Sequence, residues 1–161
     1  MGDAVIIGRF QVPDLHEGHR KLIDTVLERH PNGAILFLLG IPSAEAQDMD
    51  NRNPLPFAIR RGMICQAYHN ETRFVYIPLQ DIPGNDAVWS TTIDGLLKHA
   101  FVQSATLYGG RDSFVRHYKG KHPVCELPIN SPISGTEIRR NLYCTNNADF
   151  RRGIIWARSH K

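Results

Sequence analysis

The sequence predicts an α/β protein: one Rossmann-like domain of about five parallel strands flanked by helices. Three observations predict it. The continuous apolar runs Ala4-Val5-Ile6-Ile7 and Ala34-Ile35-Leu36-Phe37-Leu38-Leu39 have strand length and no polar alternation, as strands buried on both faces do. Stretches with helical spacing separate such runs, which predicts parallel pairing through right-handed crossovers. The polar residues most suited to chemistry fall at strand-to-helix junctions, the edge at which open α/β sheets bind ligands.

At 161 residues the chain suits one domain, 1–161, able to bury roughly 70% of the surface its unfolded form exposes. A net charge of +3, with 22% charged residues of both signs and no basic run, gives no argument for a nucleic-acid partner and is compatible with anionic small molecules. Cys65, Cys125 and Cys144 are too few and too widely spaced for a disulfide framework or a CxxC metal site, so reduced thiols are expected. No apolar stretch nears the roughly 18 residues of a membrane span and no export signal is visible, so a cytoplasmic protein without membrane insertion is expected.

In chain order, the first strand is followed by Gly8-Arg9-Phe10-Gln11 and His16-Glu17-Gly18-His19, then by a helix from Arg20 to Arg29 whose apolar face is Leu22, Ile23, Val26 and Leu27. Pro31-Asn32-Gly33 stops that helix ahead of the second strand. Ile41 to Pro56 is a polar loop holding Pro42, Pro54 and Pro56, long enough to serve as a lid or binding loop. Pro56 suits the first turn of a helix running to about Tyr68, with Phe57, Met63, Ile64 and Ala67 available to the core.

Arg73 to Leu79 reads as a third strand, and Gln80 to Trp89, with Pro83-Gly84, as a loop at the ligand edge. Thr91 to Ala100 reads as a short helix using Ile93, Leu96 and Leu97. Ala105 to Tyr108 is a fourth strand ending in Gly109-Gly110, whose missing side chains permit close backbone approach. Asp112 or Ser113 caps a brief helix reaching Tyr118, Val124 to Leu127 is a fifth strand, and Ser134 or Thr136 opens the next helix. The tail, 148–161, has Phe150, Ile154, Ile155 and Trp156 on one face and reads as a terminal helical segment.

The first junction has the makings of a phosphate site. A helix N-terminus offers unpaired N–H groups to an anion, and Arg9, His16 and His19 add side-chain donors. Imidazoles three apart on a helix also suit a shared metal ion, but no third ligand accompanies them. The spacing is HExH, not the HExxH of a zincin helix, so no protein-held metal is expected. Ser134, Thr136 and Arg139 repeat the phosphate arrangement near the other end, a hydroxyl and N–H at a helix start with a guanidinium about one turn on. No GxGxxG follows the first strand and no GxxxxGK[ST] occurs, which excludes the Rossmann dehydrogenase and Walker-type signatures.

Gly8-Arg9-Phe10-Gln11…His16-Glu17-Gly18-His19 resembles the GRFQPxHxGH signature of the nucleotidyltransferase superfamily, and Ile133-Ser134-Gly135-Thr136-Glu137-Ile138-Arg139 resembles its ISxTxIR motif, in the same order. The likeness spans nearly the whole chain and is nearest to archaeal-type nicotinamide mononucleotide adenylyltransferases, including the adenylyltransferase half of enzymes that also carry a Nudix domain. Val12-Pro13-Asp14-Leu15 makes the first loop two residues longer than the family pattern.

The resemblance implies transfer of AMP from ATP to nicotinamide mononucleotide by direct in-line attack, with magnesium carried mainly by the ATP phosphates. It places His16, His19 and Arg139 in catalysis. Gly8, Arg9, Phe10, Gln11, Gly18, Gly109, Gly110, Arg111, Asp112, Ile133, Ser134 and Thr136 fall on the ATP side. Asn53-Pro54…Arg60 resembles the family's NPF…R stretch, in which the arginine binds the mononucleotide phosphate. Pro78-Leu79-Gln80-Asp81-Ile82 with Trp89 resembles its PxxDI…W segment, in which the tryptophan stacks on the nicotinamide ring. Another adenylyl- or cytidylyltransferase of the superfamily, such as a pantetheine-phosphate adenylyltransferase, and a non-catalytic nucleotide sensor are the alternatives. Phe150 to Trp156 resembles the segment after which bifunctional members continue into a Nudix hydrolase, and no ADP-ribose hydrolysis is expected from this chain. Self-association is common in the family and a homo-oligomer is compatible with it.

Overall fold

A computed structural model describes residues 2–43, 53–100, 102–111, 113–129 and 136–138. The elements run β1 (Asp3–Gly8), α1 (Glu17–Arg29), β2 (Ile35–Ile41), α2 (Phe57–Ala67), β3 (Phe74–Gln80), α3 (Asp86–His99), β4 (Ala105–Gly109), a 3₁₀ turn (Phe114–Arg116) and β5 (Val124–Glu126). The five strands form one sheet in the order β3-β2-β1-β4-β5, every pair parallel. The α/β expectation is met. After β2 and β3 are laid outward from β1 the chain returns to pair β4 on the other side of β1, which makes the carboxyl ends of β1 and β4 the switch point where a crevice forms.

Alternate residues of the central strands feed two cores, which is why those strands read as unbroken apolar runs. Ala4, Ile6, Phe37 and Leu39 face α1 and α2 through Leu22, Ile23, Val26 and Ile64. Val5, Ile7, Leu36 and Leu38 face α3 through Ile93 and Leu97. Side chains buried this fully each contribute roughly 1.5–3 kcal/mol, so sheet faces rather than helix propensity hold the helices in place.

Two helices start earlier than their sequence periodicity suggests. α1 begins at Glu17, not Arg20, because the His16 side chain caps it. α3 begins at Asp86, not Thr91, so the segment read as loop through Trp89 is helical from Asp86 onward. There the Asn85 side chain accepts the Val88 N–H at 3.1 Å, and Asp86 adds an acidic group to the first turn. The Ser90-Thr91-Thr92 run, poor in helix formers, is accommodated by hydroxyls that donate back to the carbonyls of Asp86, Ala87 and Val88. The expected terminal helix at 148–161 lies outside the described residues. None of the helices among the described residues is long and apolar enough to cross a membrane.

Candidate active site

A cleft of about 720 Å³ opens at the carboxyl edge of the sheet. It collects Gly8, Arg9, Phe10, His16, Gly18 and His19 from the β1–α1 junction, Asp81 and Trp89 from the β3–α3 junction, and Gly110 and Arg111 from the end of β4.

The β1–α1 junction is shaped by its backbone. Phe10 has φ 51°, the one positive value outside glycine among the described residues, and this turn folds its ring back over Gly8. A Cβ at Gly8 would lie 2.9 Å from Phe10 Cε2, so only glycine permits the fold-back. The Phe10 ring then sits 4.7 Å from that of His19, which stacks on His16 at 3.8 Å and 21°. Val12 and Leu15 are buried while Pro13 and Asp14 are exposed, so the middle of the longer loop faces solvent, and His16 lines the cleft.

His16 does a job its sequence did not announce. Its Nδ1 accepts from the N–H groups of Gly18 at 3.1 Å and His19 at 3.4 Å, the role Asn or Asp commonly takes at a helix start. That assigns Nδ1 as the unprotonated nitrogen and leaves Nε2–H as the ring's donor. Burial pushes the His16 pKa below 6.5, which keeps the accepting form populated.

Behind the cleft wall lies a polar support. Arg9 donates to Asp81 Oδ2 at 2.6 Å and to Asn53 Oδ1 at 2.8 Å, joining the first junction to both segments expected to hold the acceptor. Gln11 is buried and exchanges two hydrogen bonds with the Leu55 backbone. Arg60 is 1% exposed and donates to the carbonyls of Leu55, Arg9 and Gly40 at 3.1, 2.6 and 2.9 Å. Burial, then the neighbouring Arg9, push its pKa down to about 10, which still leaves it charged at neutral pH among those carbonyls. Gln11, Asn53 and Arg60, which the resemblance assigned to substrate, thus stand behind the residues that line the cleft, and Arg60 donates to backbone carbonyls there.

On the far side, Gly109 closes β4 against the following turn, where a Cβ would collide with Ser113 Oγ and lie 2.9 Å from Phe114 Cε1. Trp89 packs partly on the α3 core and shows its remaining face to the cleft, with its ring 6.2 Å from Phe114. Sequence reasoning missed Phe114 and the Asp86–His117 pair, joined at 3.1 Å on the same wall. The available signal was Asn85-Asp86, an N-cap followed by a first-turn acid. Thr136 lies in the helical residues 136–138 and is exposed, while Asp112, Ile133, Ser134 and Arg139 lie outside the described residues. Among the described residues no three His, Cys, Asp or Glu side chains are grouped to hold a metal ion.

Comparison with known proteins gives a fold likeness. No family model matches the chain. No curated protein matches it either. Among solved structures, a bifunctional NMN adenylyltransferase/ADP ribose pyrophosphatase from Francisella tularensis, complexed with AMP and a manganese ion, superposes with a TM-score of 0.69 at 24% identity, over 90% of this chain and 42% of its own. A NadR protein in complex with NAD and AMP-PNP superposes with a TM-score of 0.62 at 20% identity, over 94% of this chain and 47% of its own. The chain therefore spans less than half the length of either protein, and it shares with them the parallel five-stranded fold that carries the cleft.

Proposed function

We propose that this chain is a nicotinamide mononucleotide adenylyltransferase, joining the adenylyl group of ATP to nicotinamide mononucleotide with release of pyrophosphate. The observation that carries the reading is one cleft in which a histidine-bearing helix N-terminus shares the space with Asp81 and a half-buried Trp89. An anionic, reacting end and a flat aromatic end are what such a pair of substrates requires. The solved structures of the same fold, named for NMN adenylyltransferase or complexed with NAD, point the same way.

Each element has a task in that reaction. The N–H groups at the start of α1 and the imidazole of His19 donate to the α-phosphate and the departing pyrophosphate, where negative charge grows in the transition state. His16, fixed by its capping bonds, presents Nε2–H to the same oxygens. Arg111 and Gly110 take the adenylyl side, with Ser134, Thr136 and Arg139 on the outer phosphates. Trp89 stacks on the pyridinium, and Asp81, steadied by Arg9, orients the acceptor. The attacking group is the acceptor's own phosphate, so positioning and charge stabilisation suffice without a covalent nucleophile.

Magnesium fits this donor set as a metal carried by ATP. In the cleft, Asp81 is paired with Arg9 and Asp86 with His117, which suits an ion held mainly by phosphates and water. When bound it neutralises phosphate charge. The free thiols Cys65 and Cys125 are consistent with a reducing, cytoplasmic setting.

The test is pyrophosphate release in magnesium with ATP or CTP and a panel of phosphorylated acceptors. Turnover with ATP and nicotinamide mononucleotide is expected. Turnover with CTP alone rejects the reading, and tight ATP binding without turnover on any acceptor replaces it with a nucleotide sensor.

A further inference from the structure

The first turn of α3 meets the segment Phe114 to Lys119 along one wall of the cleft, and two pairs span the contact. Asp86 Oδ2 faces His117 Nδ1 at 3.1 Å, and the Trp89 ring lies 6.2 Å from the Phe114 ring. Behind them Ser90 Oγ accepts the Lys119 N–H at 2.8 Å, so the two segments are fixed against each other by more than the surface pair. Asp86 and Trp89 are three apart on α3 and share a helix face, as Phe114 and His117 share theirs. The polar pair is thus set beside the aromatic pair, and all four side chains line the cleft.

The hydrogen-bonding chemistry of the polar pair is constrained. An ionised carboxylate only accepts, so the His117 nitrogen facing Asp86 carries the hydrogen. In the neutral ring Nε2 is then a lone-pair acceptor, and it is the nitrogen left for a ligand because Nδ1 is tied to Asp86. An acceptor backed by a carboxylate favours an N–H and disfavours an oxygen anion. The His117 side chain is 54% exposed, so a ligand group can reach it.

A pyridinium laid on Trp89 carries its ring substituent to the edge of the indole. If that substituent is a carboxamide it offers N–H; if it is a carboxylate it offers only acceptors and a negative charge. We infer that His117, held by Asp86, makes this site prefer a pyridine mononucleotide bearing a carboxamide over one bearing a carboxylate. The inference rests on the adenylyltransferase reading of the cleft.

The test compares kcat/KM for nicotinamide mononucleotide and nicotinate mononucleotide, with magnesium and ATP, in the wild type and in His117→Ala, Asp86→Asn and His117→Lys. The wild type prefers the amide. His117→Ala lowers the amide-to-acid ratio about tenfold, mainly through KM of the amide, with KM for ATP unchanged. Asp86→Asn lowers it by a smaller factor, because the charge goes while an oxygen acceptor remains, and His117→Lys shifts preference toward the acid. Thermal unfolding of each variant, expected near the wild type for these partly exposed side chains, separates lost specificity from lost fold. An unchanged ratio in folded His117→Ala overturns this inference alone and makes the pair a surface ion pair, whereas wild-type preference for the acid overturns it together with the acceptor named in the proposed function. Failure of the wild type to turn over either pyridine nucleotide overturns the proposed function and this inference with it.

Discussion

Gln11 and Leu55 exchange two hydrogen bonds across 44 residues of sequence: the Gln11 side-chain amide donates to the Leu55 carbonyl at 2.9 Å and accepts the Leu55 N–H at 2.8 Å. A side chain therefore pairs with a backbone as a neighbouring strand would. The pairing ties the β1–α1 loop to the segment that carries Asn53, so the two segments share one support. Gln11→Ala leaves a buried N–H and C=O without these partners and should cost about 1–3 kcal/mol in denaturant unfolding, with KM for the acceptor rising more than KM for ATP. Unchanged unfolding would show that the pairing is dispensable.

Arg60 answers the same question from the other side of the loop. Its bonds to three carbonyls match the planar fork of a guanidinium, which an ammonium cannot reproduce. Arg60→Lys should lower stability by on the order of 2 kcal/mol before any substrate is added. A side chain whose only work was to bind a substrate phosphate would leave unfolding of the free protein unaltered.

His16 makes stability depend on pH with a defined sign. Its folded pKa lies below the ordinary 6.5 because burial disfavours the charged ring, so as pH falls the unfolded chain takes up this proton first. Its contribution is complete above about 6.5 and declines as pH falls through the lower folded value. Urea unfolding at pH 7.5, 6.5, 5.5 and 5 should show that decline, and His16→Asn, which keeps an acceptor for the Gly18 and His19 N–H groups, should flatten it. An equal slope in the variant would assign the pH dependence to other groups.

His19 and Trp89 separate charge stabilisation from ring recognition. In the proposed reaction His19 donates to charge that develops during transfer, so His19→Ala should lower kcat by on the order of 10² to 10³ with a smaller change in KM. In the same proposal Trp89 supplies a stacking face that ground and transition states share, so in Trp89→Ala KM for the nicotinamide substrate should rise while KM for ATP stays nearly constant. Because Trp89 also packs on the α3 core, Trp89→Phe should restore stability before it restores affinity. Intact kinetics with reduced stability in Trp89→Ala would make the indole a core residue alone.

The order of strands and helices was determined by the sequence itself. Runs such as Ile35 to Leu39 are apolar at every position, and only a strand covered on both faces buries such a run. The clustering of Gly8, Arg9, His16 and His19 was equally legible, because a loop and the helix it opens are close in sequence and so in space. Tertiary structure alone decided which of these residues line the cleft and which hold the backbone. Arg9, Gln11 and Arg60 are all long and polar, and nothing local distinguishes the half-exposed guanidinium of Arg9 from the buried one of Arg60. That distinction comes from carbonyls at Arg9 and Gly40, 51 and 20 residues from Arg60 in sequence and brought to it by the chain crossings. The start of α3 was hidden for a related reason. Ser90, Thr91 and Thr92 argue against a helix locally, whereas the burial of Ile93 and Leu97 on the sheet outweighs them and carries Asp86 and Trp89 to the cleft.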